Sequence, residues 1–99
     1  GQGVKALIIG AVTIRLYATW VSSLKEKRML VKSIVAKVQN KFHVAIAEVE
    51  EQDTLQTAVL GMACLAGSVR QADSILDHAI QPIEENTEAE ITDIQRELR

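Results

Sequence analysis

Twice along this chain an apolar run ends and, within a few residues, a serine stands three positions ahead of a Glu or Gln: Ser23 before Glu26, and Ser68 before Gln71. That spacing is a capping box, in which the serine hydroxyl and the later side chain satisfy backbone N–H groups at a helix start. Each serine opens a segment with apolar residues three and four apart. The first carries Leu24, Val31, Ile34, Val35, Val38 and Phe42; the second carries Val69, Ala72, Ile75, Leu76, Ala79, Ile80 and Ile83. The runs ahead of them, Ala6 to Ala18 and Leu55 to Ala66, are rich in Leu, Ile and Val and read as strands. A strand-then-helix unit used twice leaves few plans open.

His43 to Glu50 is extended in character through Val44, Ile46 and Val49, and Glu50-Glu51-Gln52-Asp53 supplies a turn. Pro82 falls in the last turns of the second helix, where it removes a backbone bond and is expected to kink or end it. In Glu88 to Arg99, Ile91, Ile94 and Leu98 have helical spacing, yet the element order calls for a closing strand. The expected fold is α+β, a ferredoxin-like βαββαβ domain over residues 1–99. Its four-stranded antiparallel sheet carries both helices on one face.

Ile8, Val12, Ile14 and Leu16 share the core face of the first strand with Gly10, which leaves room there for close packing. The third strand is apolar on both sides, with Leu60, Met62 and Cys64 opposite Val59, Ala63 and Leu65. An apolar second face is more often a subunit interface than open surface, so a homodimer is expected.

Charge is divided by position. Residues 1–42 hold eight Lys and Arg against Glu26 alone, whereas residues 43–99 hold twelve acids against Arg70, Arg96 and Arg99, beneath a formal net charge of −2. On the first helix Lys25, Arg28 and Lys32 form one row, and Lys27, Lys37 and Lys41 lie towards the other flank. Asp73, Asp77 and Glu84 form a row on the second helix that is placed to neutralise one of these. The row left over is a candidate phosphate-contact surface, with Lys25, Arg28 and Lys32 first in line.

Several pieces of the chain together resemble the YlxP-like family, a small bacterial family of unknown function. They are Ile9-Gly10; Ser23-Leu24-Lys25-Glu26-Lys27-Arg28 with Val31-Lys32-Ser33; Ala47-Glu48-Val49; Asp53; Gln56; and Ala58 through Leu60-Gly61. The resemblance covers nearly the whole chain. It implies a ferredoxin-like fold and a gene that commonly lies beside those of a translation initiation factor and a ribosome-binding factor. It implies no reaction. Ribosome or ribosomal RNA association is therefore the partner class expected.

The remaining chemistry is sparse. Glu48, Asp53 and Gln56 border the central hairpin as a polar cluster, either structural or a site; Glu48, if its strand face is buried, needs a partner such as Gln56 or a Lys from the first helix. His43, His78 and Cys64 form no metal-ligand or nucleophile pattern, and no glycine-rich phosphate loop is present. No metal, cofactor or small-molecule substrate is expected, and a non-enzymatic binding or accessory role is the reading. Only Tyr17, Trp20 and Phe42 are aromatic, and none stands mid-sheet to stack bases. Trp20, ahead of the basic helix, reads as a cap on the core edge, with a lone stacking platform as the alternative. An alternative is a protein-interaction module that offers Met29, Ser33 and Ala36 to a partner helix. A lone cysteine suits a reducing cytosol, and no run approaches the ~20 apolar residues of a membrane span.

Overall fold

The structure, a computed structural model, describes residues 7–99. Its elements are β1 (Ile8–Tyr17), α1 (Leu24–Lys41), β2 (Ala45–Glu50), β3 (Thr57–Ala66), α2 (Val69–Glu84) and β4 (Glu90–Leu98). The sheet runs β2-β3-β1-β4 with every pairing antiparallel, which is the expected α+β ferredoxin-like plan. Ala6, assigned to the first strand from sequence, lies outside the described residues. Pro82 sits inside the last turn of α2, two residues before its end, and the helix closes after it with the Glu85 N–H donating to the Gln81 carbonyl at 2.9 Å.

The last element is a strand, and its misleading spacing has a local cause. The register places Asp93 opposite Arg15 but Ile91 opposite Leu16, so Thr92 is an extra residue bulged out of the ladder. The bulge brings Ile91 and Ile94, three apart, onto the same face, from which Arg96 and Leu98 continue in ordinary alternation. A three-residue step inside a strand imitates a helix in sequence.

Alternation along β1 and β3 builds the core. Val12, Ile14 and Leu16 pair in register with Met62, Leu60 and Ala58, all buried. From above, α2 adds Ala72, Leu76, Ala79, Ile80 and Ile83. Each large side chain taken wholly out of water contributes about 1.5–3 kcal/mol before the entropy of ordering it is counted. Gly10 lies under α2 as expected: a Cβ built there would meet Cys64 Sγ and Leu76 Cδ1 at 3.1 Å and the Ala72 Cβ at 3.3 Å.

The opposite sheet face is uncovered, and Ile9, Leu65 and Val49 are exposed on it. Val59 departs from expectation, being only 2% exposed on this side. Arg15 is its partner across β1, and the Arg15 guanidinium reaches Glu51, beyond β2, at 3.1 Å. Because β3 lies between β1 and β2, that ion pair bridges over Val59 and shields it.

Candidate functional site

Helix α1 separates two kinds of positive charge. Its start is fixed by Ser23, whose hydroxyl accepts from the Glu26 backbone N–H at 3.1 Å. The Glu26 carboxylate reaches back one residue further than a simple capping box requires, accepting from the hydroxyl and the backbone N–H of Ser22 at 2.7 and 2.8 Å. The Ser22 hydroxyl, followed by the Ser22 backbone N–H, holds the Glu26 carboxyl below its ordinary pKa. A depressed carboxyl stabilises the fold above its unfolded pKa and loses that contribution as pH falls through the folded one. The melting temperature of Glu26→Gln is therefore expected to lie below that of the native protein at neutral pH. The gap should close as pH drops through the carboxylate range, and a gap independent of pH would refute the assignment.

Inward, α1 buries Lys27 together with Leu30, Val31, Ile34 and Val38. The sequence placed Lys27 on an exposed flank with Lys37 and Lys41; instead its side chain is 3% exposed. It occupies the apolar stripe itself, four residues before Val31 and seven before Ile34. Its Nζ donates to the backbone carbonyls of Glu51 and Thr54, the latter at 2.6 Å, and lies 3.0 Å from Glu48 Oε2. Glu48 thus finds the first-helix lysine that its strand face called for. That oxygen is buried and accepts no aligned hydrogen bond, so the contact is an ion pair in which charge, not direction, supplies the attraction.

The hairpin turn is fixed by the same atoms. Glu51 is held at φ 58°, in the left-handed region that disfavours residues bearing a Cβ. Its carboxylate accepts from Arg15 and from Thr54 Oγ1, each at 3.1 Å, and the Arg15 contact followed by the Thr54 hydroxyl holds its pKa down. Gln56 donates from Nε2 to the carbonyl of Thr19 at 3.0 Å, tying the turn to the loop ahead of α1. Asp53 is exposed and makes no polar contact among the described residues. The cluster of Glu48, Asp53 and Gln56 therefore does not converge: two members are structural ties and the third faces solvent. No group of three His, Cys, Asp or Glu side chains is placed to hold a metal among the described residues.

Outward, α1 presents Lys25, Arg28 and Lys32, all exposed and opposite the buried stripe. None forms an ion pair among the described residues. Two of the three acids expected to neutralise a basic row are engaged elsewhere: Arg96 of β4 binds Asp77 at 2.8 Å and Asp73 at 3.2 Å, while Glu84 is exposed at the rim of the cleft beside Trp20. The second row loses Lys27 to the interior and keeps Lys37 and Lys41 exposed, Lys41 lying 5.7 Å from the Phe42 ring centroid. Trp20 donates its indole N–H to the Glu88 carbonyl at 2.8 Å. It lines an open cleft of about 700 Å3 rimmed by Glu84, Glu85, Glu88 and Glu90, surroundings that repel a phosphate backbone. Cys64 is a buried core residue, and no described helix is long and apolar enough to cross a membrane.

Residues 9–96 match the family described as Protein of unknown function (DUF503). The chain is also 41% identical over 70 residues to a Bacillus subtilis (strain 168) protein described as Uncharacterized protein YlxP, a match covering 71% of this chain and 76% of that protein. The span of the family match and the identity to this relative agree with the YlxP-like motifs, and the chain belongs to the DUF503 family of proteins of unknown function.

Proposed function

We propose that the protein is a non-enzymatic accessory factor that contacts RNA phosphates through Lys25, Arg28 and Lys32. The supporting observation is that Lys25, Arg28 and Lys32 are exposed with no ion pair among the described residues, while Asp73 and Asp77 of α2 are held by Arg96. Three long cations thus stand one turn apart on a helix capped by Ser23. Guanidinium and ammonium groups three and four residues apart can meet successive phosphates of one strand, with little reading of sequence. The family resemblance makes ribosomal RNA the first source of phosphate to test.

Three phosphate contacts predict that raising salt from 50 to 200 mM weakens binding by about 20- to 40-fold. Co-sedimentation with ribosomal RNA at both salts, beside a variant carrying Lys25→Glu, Arg28→Glu and Lys32→Glu, checks this. Binding should fall with salt in the native protein and be lost in the variant. Absence of binding at low salt would sink the reading.

Met29 supports a second reading, because it is 63% exposed and shares the outer face of α1 with Ser33 and Ala36. A partner helix seated there would respond weakly to salt, which separates the two readings.

A further inference from the structure

The uncovered sheet face has a relief as well as an apolar character. At one end Leu7 and Leu65 stand out, each 65% exposed, with Leu65 in register beside Ile9. Next to them the surface drops into a shallow hollow of about 380 Å3 whose floor includes Ala11, Ala47, Gly61 and Ala63, with the half-exposed Val49 standing over its Gly61 end. A second depression of about 390 Å3, which includes Ala45 and Ala63, leads from it to Leu65. Protruding leucines and an alanine-lined hollow on one face are the two halves of a self-complementary contact.

Charge and area narrow the occupant. The positions of β4 on this face are Glu90, Asp93, Gln95 and Glu97, partners of Tyr17, Arg15, Thr13 and Ala11. They set an acidic border along one edge that disfavours nucleic acid here. Arg15, the charge nearest the middle, is engaged by Glu51. Strands of ten, ten, nine and six residues about 4.8 Å apart make a face of about 550 Å2. Two such faces together cover about 1,100 Å2, above the ~1,000 Å2 that a specific interface should clear.

We propose that this face joins two copies of the chain about a two-fold axis, with Leu65 of each copy seated in the Ala47–Gly61–Ala63 hollow of the other. The result is a four-layer particle with helices outside and sheets within. Both α1 rows then point outward, so the contact is independent of the RNA reading.

Sedimentation velocity at about 50 µM protein tests it. The native chain should sediment at twice the 10.9 kDa of one copy. Leu65→Glu, which alters a side chain exposed in the single chain, should sediment as a monomer with an unchanged circular dichroism spectrum. A carboxylate forced into the hollow should weaken association at least ~100-fold. Ala47→Glu, on the edge strand, should do the same from the hollow's side and stands in if the first variant folds poorly. The Lys25, Arg28, Lys32 charge-reversal variant should remain dimeric. A native chain of 10.9 kDa, or a dimer that survives a folded Leu65→Glu or Ala47→Glu variant, overturns the proposal and passes the face to a different protein.

Discussion

Replacing Lys27 by Met is expected to lower the unfolding free energy by about 3–5 kcal/mol, a large part of the ~5–15 kcal/mol available to a domain of this length. The methionine fits the apolar stripe, so lost packing is minor. The cost lies in what remains: the Glu48 carboxylate is left in its buried position without a cation, and the carbonyls of Glu51 and Thr54 lose their ammonium donor. Glu48→Gln should be milder, at about 1–2 kcal/mol, because Lys27 keeps both carbonyl dipoles and the new amide oxygen can still accept. The double variant should be more stable than Lys27→Met alone, since no charge is then stranded. Urea unfolding of the native protein and these three variants gives the cycle. Additive losses would mean that water screens the pair and that Lys27 acts only by tethering the turn.

This ion pair also marks where reading the sequence reaches its limit. The need for a partner at Glu48 was visible from alternation along β2, and a lysine of the first helix was among the candidates. Which lysine was not visible, because Lys27 obeys the period of the apolar stripe while its charge argues for solvent, and residue type prevailed over position. Leu30, three residues after Lys27 and four before Ile34, is likewise absent from the expected stripe and is buried. Both capping serines and the face of Gly10 were legible, since those signals are local. The Thr92 bulge was not, because a bulge is a relation between two strands and leaves a single strand's sequence looking helical. The candidate surface was half legible. Spacing alone fixes that Lys25, Arg28 and Lys32 align, whereas the capture of Asp73 and Asp77 by Arg96 depends on the partners of β4.

Gly10→Val is the second large effect expected, a loss of about 3 kcal/mol, at the upper end of overpacking costs. A domain of this size should then melt about 12–24 °C lower. The added Cβ alone meets Cys64 Sγ, Leu76 Cδ1 and Ala72 Cβ within 3.1–3.3 Å, and valine's two methyls must go further into the same space. Cys64 belongs to the strand beside β1, and Ala72 holds its methyl at the surface of α2's backbone, so relief requires α2 to lift from the sheet. Gly61 gives the contrast. A Cβ there comes closer still, 2.9 Å from Val49 Cγ1, yet Val49 is half exposed at a register shift beside the edge of the sheet and can turn aside. Gly61→Ala should therefore cost less than ~1 kcal/mol, because a methyl in a strand offsets part of the crowding. Thermal melts of the two variants decide between closeness and mobility as the source of the penalty. If Gly61→Ala proves the more damaging, the tightest contact governs; if Gly10→Val does, the rigidity of the α2–sheet seam is what the glycine serves.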